Sequence, residues 1–380
     1  MFSLSPIKVA ESLVRAHPGS VSMAQGIPDF PLSEEIYREL HETIRRGVCN
    51  AYLPPEGLPE LRQLLKQQED PKQFRGADLI ITNGAIEGIV STLLAVTAPG
   101  DEVITSDPGY ASFVRAIATA RLKSRTFRYH RDGCTFRGGE FLNLINSRTR
   151  IVLFAQPNNP DGHLIRREEL EDLIRLAHKH SFLILSDETY RDFVWGSGTM
   201  ISPWDLPGGP EVTIRITSYS KTFGVTGWRV GVLAAQRRVL EKILPLHDTC
   251  VTCAPAVSQY LALLLERARK GLVAQNRSLI EKRLRFVIDE LSPVQGFEDL
   301  VFPEAGYYLF PRLASGESGD RFAQRLFERA RVAVVPGSAF GSQAKDRIRI
   351  SVASFDENLI KAVSVIQASF AFTNLLVQNS

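Results

Sequence analysis

The sequence predicts an α/β fold: a large domain with a mostly parallel mixed sheet between helices, plus a small α+β domain. Three observations predict it. Short apolar runs recur at 79–82, 102–105, 123–127, 151–155, 182–186, 213–217 and 230–234. Helical patterns lie between them, as at about 166–180, where Leu170, Leu173, Ile174 and Ala177 share one face. Polar or glycine-rich stretches follow the runs, and a parallel sheet covered by helices holds its ligands beyond the carboxyl ends of its strands.

The bounds agree. A chain of 380 residues is long for one core and suits a large domain with a smaller one. An apolar share of 44% with 23% charged residues is ordinary for a globular protein. The net charge of +3 comes with no basic block, so composition supports neither nucleic acid nor a membrane surface as partner. No apolar run reaches transmembrane length. Residues 1–20 lack an apolar stretch and carry Glu11, so they do not read as a secretory signal, and a cytoplasmic location is expected. Cys250 and Cys253 have the spacing of a redox pair or half a zinc site, but no second pair completes one. Cys49, Cys134 and these two read as ordinary thiols, and no metal is expected.

Taken in order, residues 7–16 form a short amphipathic helix with Ile7, Ala10 and Val14 on one side. Residues 23–31, including Gly26, are extended and turn-rich. Ser33 caps a helix carrying Ile36, Leu40 and Ile44, with Gly47 past its end. A loop at 51–57 holds Tyr52, and Pro59 opens the next helix. Asn83-Gly84-Ala85-Ile86-Glu87 follows the first apolar run and opens a helix whose bare N–H groups suit a phosphate. Tyr110 sits on a turn after the second run, and Pro157-Asn158-Asn159-Pro160 after the fourth. Asp187-Glu188-Thr189-Tyr190 follows the fifth, and 191–210 reads as loop. Helices are expected at 256–269 and 272–291, the second leading out of the large domain. Runs at 307–310, 333–335 and 347–352 belong to the small domain.

Each of these polar positions has a plain structural account. A turn tyrosine packs, Asn-Asn-Pro turns the chain, and an aspartate at a strand end caps a helix. Their recurrence at successive strand ends points instead to one site. Ser218-Tyr219-Ser220-Lys221 completes it after the sixth run, with Arg229 eight residues on. A lysine held in a pocket loses its proton and becomes a Schiff-base former, while hydroxyls and an arginine hold a phosphate. The pairing suggests pyridoxal phosphate, an aldehyde that needs both; the plain alternative is a surface lysine in a glycine turn. A phosphate-binding P-loop is excluded, because Ser220 precedes Lys221 where that motif needs glycine.

The chain resembles the class I/II aminotransferases, which are fold-type I pyridoxal-phosphate enzymes. The likeness covers about 25–359. It rests on Gln25-Gly26-x-Pro28-Asp29-Phe30, Tyr52-x-Pro54-x-x-Gly57, the Pro-Asn-Asn-Pro turn, Asp187-Glu188-x-Tyr190, Ser218-x-Ser220-Lys221, Gly227-Trp228-Arg229-x-Gly231, Pro336-Gly337-Ser338-x-Phe340 and Arg347-Ile348-Arg349-Ile350-Ser351. It departs at Asp161, where the family usually has threonine, and at Ile86, where some relatives that accept acidic substrates carry a basic side chain.

The resemblance implies a large domain over 31–270 and a small domain formed by 1–30 with 271–380. It implies a Lys221 Schiff base, Asp187 on the pyridinium nitrogen, Asn159 and Tyr190 on the phenolic oxygen, and Tyr110 stacked on the ring. Gly84, Ala85, Ile86, Ser218 and Arg229 would hold the phosphate, with Tyr52 reaching it from the partner of a homodimer. Arg349 would take the substrate carboxylate, with Asn159 beside it and the Gly26 backbone closing over. The implied reaction moves the amino group of an L-amino acid to a 2-oxo acid. A lyase, a cyclase of the aminocyclopropane-carboxylate-synthase kind, an oxidase or a non-catalytic cofactor binder are the alternatives. Ile86 points away from a dicarboxylate as preferred donor.

Overall fold

The computed structural model describes residues 6–130, 132–294, 296–314, 316–353 and 356–377. Helix α1 (Pro6–Ala16) comes first, then α2 (Glu34–Arg45), which Ser33 caps through its hydroxyl, and α3 (Pro59–Gln67). The central strands and helices then alternate. They are β1 (Ala77–Thr82), α4 (Ala85–Val96), β2 (Glu102–Ser106), α5 (Ala111–Thr119), β3 (Lys123–Phe127), β4 (Thr149–Ala155), α6 (Arg167–His180) and β5 (Leu183–Asp187). Next come β6 (Thr213–Ser218), the one-turn helix α7 (Tyr219–Thr222) and β7 (Gly231–Gln236).

All seven expected runs join one sheet, in the order β1-β7-β6-β5-β4-β2-β3. Six strands share one direction and β7 alone opposes them, pairing antiparallel with β1 and β6. The period-2 pattern separates the two faces. Val103, Leu153, Leu185, Ile214 and Leu233 pack with Ile89 and Leu93 of α4 and Phe113 of α5. On the other face Ile104, Val152, Phe154 and Ile184 meet Leu170, Leu173, Ile174 and Ala177 of α6. Leu79, Ile81, Val232 and Ala234 pack with Ile36 and Leu40 of α2 and Leu61 of α3. Each such side chain contributes roughly 1.5–3 kcal/mol by leaving water.

Helices α8 (Arg237–Val251) and α9 (Ala256–Arg267) close this layer. Helix α10 (Arg269–Leu291) begins three residues before the expected start. Gly271 sits inside the first turn, where an added Cβ would meet nothing within 4 Å and no positive φ is adopted. Val287 and Leu284 of α10 pack with Ile348 and Ile350 of the strand Ile348–Ser351, and with Leu359 and Val363 of helix Asp356–Val377. The expected loop 191–210 holds a 3-10 turn at Pro203–Asp205 and the start of a four-residue helix, Gly209–Val212. Among the described residues no helix is long and apolar enough to cross a membrane, and no His, Cys, Asp and Glu cluster suits a metal ion. All four cysteines are free.

Candidate active site

The carboxyl ends of β1, β4, β5 and β6 converge on a cavity of about 550 Å³. Eleven of the thirteen sequence-expected site residues line it: Gly26, Ala85, Ile86, Tyr110, Asn159, Asp187, Tyr190, Ser218, Lys221, Arg229 and Arg349. Gly84 adjoins the cavity as the cap of α4, with φ 76°, and the Arg229 guanidinium stands where a Cβ would be. Tyr52 does not belong to it: its side chain is 85% exposed.

Lys221 projects from α7, directly after β6. Its Nζ donates to the Gly26 carbonyl at 2.5 Å. Burial, first, and then the positive charges of Arg349, Arg229 and Lys8 push its ammonium down to about 7, against the pull of Asp187. Asp187 ends β5. Its Oδ1 accepts from the Thr189 N–H at 3.1 Å and the Thr189 hydroxyl at 2.5 Å. Burial outweighs those bonds and the charge of Lys221, so its carboxyl titrates above the usual range. A buried carboxylate of this kind gains from a cationic partner on the cavity side.

Arg229 donates to the Thr226 carbonyl at 2.9 Å and approaches the Ser220 hydroxyl at 3.5 Å. It sits at φ 55°, so the turn before β7 aims it at the start of α4. There the first-turn amides of Ala85 and Ile86 have no acceptor within the helix. Ser218 caps α7 by accepting from the Ser220 N–H at 3.2 Å. Donors and a helix N-terminus thus face one end of the cavity, an arrangement suited to an anion.

Arg349 marks the other end. It donates to Asn159 Oδ1 at 2.9 Å and to the Ala24 carbonyl at 2.5 Å, and its buried Nε has no hydrogen-bond partner. Its guanidinium lies 4.1 Å from the ring centre of Tyr308 and 4.7 Å from that of Phe340. Such a held, planar fork suits a carboxylate. Among the wall residues that the sequence reading did not assign to the site are Tyr308, Ser220 and Lys8. Tyr308 meets the Tyr190 hydroxyl at 2.8 Å but sits in a run legible only as a core strand. Ser220 was inside a quoted motif, so a signal existed. Lys8 reaches the cavity from α1, which packs on Phe327, Val335 and Phe340, and no local pattern announces that contact.

A second cavity, of about 410 Å³, backs onto the first from the far side of Ser218. Its charges are matched among themselves: Arg215 with Glu69 at 2.7 Å and Arg269 with Asp192 at 2.6 Å. Its lining includes no lysine, and these arginines pair with acids of the same cavity.

A family model described as aminotransferase class I and II matches residues 18–366. An aspartate aminotransferase of Thermotoga maritima is 31% identical over 94% of this chain and 93% of its own length. The aromatic-amino-acid aminotransferase 2 of Thermococcus litoralis is 31% identical over 96% of this chain and 95% of its own. Among solved structures, the Thermotoga maritima aspartate aminotransferase superposes with a TM-score of 0.84 at 30% identity, covering 98% of each chain.

Proposed function

The chain belongs to the class I and II aminotransferase family, and from that premise we propose that Lys221, Asp187, Arg229 and Arg349 are the working groups of its transaminase site. The protein is a pyridoxal-phosphate-dependent aminotransferase, moving an amino group between an amino acid and a 2-oxo acid. The observation that carries the residue assignment is the convergence of these four side chains on one cavity, with an anion-binding end and a carboxylate-binding end.

The residues fit the cofactor. Arg229, Ser218, the Gly84 turn and the Ala85 and Ile86 amides would hold its phosphate. Tyr110 would lie against its ring, and Asn159 with Tyr190 would hydrogen-bond its phenolic oxygen. Asp187, an acid raised by burial, would hold a proton on the ring nitrogen and become ionised in doing so. When bound, pyridoxal phosphate supplies an aldehyde for the lysine and an electron sink for charge developing at the substrate Cα.

Lys221 has the remaining work. An amine whose proton is held only to about pH 7 is available as a nucleophile at neutral pH. With the cofactor bound, the Lys221 amine would stand where it could take and return the proton at the substrate Cα. Arg349, fixed by Asn159 and Ala24, would clamp the substrate carboxylate, with the Gly26 backbone above it. That clamp keeps the carboxylate from being the group that leaves, and favours breaking Cα–H.

For the donor, the relatives above are named for aspartate and for aromatic amino acids. The expectation against a dicarboxylate rested on Ile86. Lys8 puts a cation on the same wall, beside Ile7 and Ile27, so both an acidic and an apolar side chain find a complementary group. The proposal includes a large domain over 31–270 and a small one of 1–30 with 271–380. A core drawing on Val21, Met23, Phe30 and residues from 280 to 366 supports it, and Tyr190, Phe193 and Trp195 of the large domain join that core where the two meet. It also includes a cytoplasmic homodimer, with the exposed Tyr52 reaching the partner's phosphate; the four free thiols suit a reducing compartment.

The test uses the holoprotein without any acceptor. Mixing it with amino acids should give one equivalent of 2-oxo acid per site and the amine form of the cofactor, and borohydride reduction of the resting protein should label Lys221. Ammonia release in place of the amine form, or a label on another lysine, overturns the reading.

A further inference from the structure

Behind the first turn of α4 a half-buried acid, Glu87, meets a buried base, His247, and neither lines the cavity. Glu87, in that turn, accepts the Asn83 N–H through Oε2 at 3.0 Å. Its Oε1 accepts the Ser91 hydroxyl at 2.6 Å and lies 3.1 Å from Nδ1 of His247. His247 comes from α8 and is wholly buried, and its Nε2 has no hydrogen-bond partner among the described residues. A carboxylate only accepts, so Nδ1 carries the proton. We propose that Glu87 and His247 are positioning residues for the anion cradle, holding the Asn83–Gly84 turn so that the amides after it and Arg229 face the cofactor phosphate.

The geometry supports this through the fate of each amide. Glu87 occupies the Asn83 donor, and the Thr82 carbonyl takes the Gly84 N–H at 2.8 Å. The amides of Ala85 and Ile86 are therefore left for a ligand. The Asn83 carbonyl in turn faces Arg229 Nη2 at 3.5 Å, so the pinned residue also meets the arginine of the cradle. A side chain at the cap would collide with that arginine, so the turn has little room to drift.

The carboxylate needs its partners. Burial acts against its charge, and the hydrogen bonds from His247, Ser91 and the Asn83 N–H more than offset that, leaving its carboxyl below the usual range. Without His247, Glu87 would be a less ionised and weaker acceptor for Asn83. His247 thus acts on the phosphate through Glu87 and the turn, at no contact distance from it.

The inference rests on the reading that this turn holds the cofactor phosphate. The full-length apo-protein is titrated with pyridoxal phosphate and, separately, with pyridoxal, which lacks the phosphate. His247→Ala should raise the Kd for pyridoxal phosphate about tenfold, the scale of one hydrogen bond to a charged group, and leave the Kd for pyridoxal unchanged. His247→Gln, which keeps a donor toward Glu87, should stay within about twofold of the wild type. Where His247→Ala does not fold, Ser91→Ala removes another Glu87 bond and should weaken pyridoxal phosphate alone by about two- to threefold. Unaltered affinity in these variants, or equal losses for both ligands, overturns the inference by itself. A wild-type chain that takes up neither ligand overturns the site reading and this inference with it.

Discussion

The proton affinity of Lys221 is set by burial first and by the charges around it next, more than by its own contacts. Its one hydrogen bond, to a backbone carbonyl, would favour the ammonium, yet burial and three neighbouring cations bring it down to about 7. In the proposed site Arg349 would hold the substrate and Arg229 the phosphate. Lys8 stands on the wall with Ile7, Ile27 and Ile86. Its place suits the far carboxylate of a dicarboxylic donor. Lys8→Ala should lower kcat/KM for aspartate and glutamate by about three- to fivefold, the worth of a half-exposed ion pair. The values for phenylalanine and leucine should hold. Parallel steady-state measurements on the four donors check it; an equal loss for all four assigns Lys8 to the fold of α1 alone.

At the scale of elements, the strand end does the sorting. β5 finishes on Asp187, which faces the catalytic cavity, and the next residue, Glu188, turns to the second one. Glu188 is fully buried, accepts from the hydroxyls of Ser186 and Ser202, and lies 3.6 Å from Arg191. Burial pushes its carboxyl up to about 7; Arg191, Arg215 and the Ser202 bond oppose that, and Asp205 adds to it. In the unfolded chain a glutamate titrates near 4.3. Between these values the folded chain holds a proton that the unfolded chain has lost, so stability falls as pH rises from about 4.5 to 7, and the full cost remains above. Glu188→Gln removes that cost. The variant should gain roughly 1–3 kcal/mol over the wild type at pH 8 and little at pH 5 in denaturant unfolding. A gain independent of pH would place the effect in packing.

At the scale of the molecule, one motif residue, Tyr52, lies outside the cavity of its own chain. Tyr52 is exposed, on the loop after α2, and Tyr37 and Ile44 of α2 add apolar surface at 48% and 45% exposure. A two-fold dimer with this face at its interface would build each site from two chains. Lys221→Ala should be inactive, and Tyr52→Phe should bind cofactor about 1–2 kcal/mol more weakly. In a heterodimer of the two, the Lys221 of one chain meets the Tyr52 of the other and one site is wild type. Co-refolding them at limiting cofactor should therefore exceed the activity of diluted Tyr52→Phe protein. Strict proportionality to the Tyr52→Phe chain, with heterodimers demonstrated, would put Tyr52 in its own subunit's site or nowhere near the cofactor.

Local pattern alone determined the seven strands, the Ser33 cap, the helix opened at Gly84 and the strand-end placement of Asp187 and Lys221. These depend on side-chain period, backbone freedom and capping, which are written within a few residues of where they act. Arg349 and Asn159 were legible through their motifs, but their hydrogen bond spans 190 positions and exists only in the folded chain. Lys8, Tyr308 and His247 carried no such mark. Lys8 is an ordinary helix lysine until α1 packs against the far end of the chain, and His247 an ordinary helix histidine until α8 settles on α4. The charge on Lys221 belongs to the same class: a lysine's proton affinity is set by what surrounds it, and only the tertiary structure brings Arg229, Arg349 and Asp187 to one place.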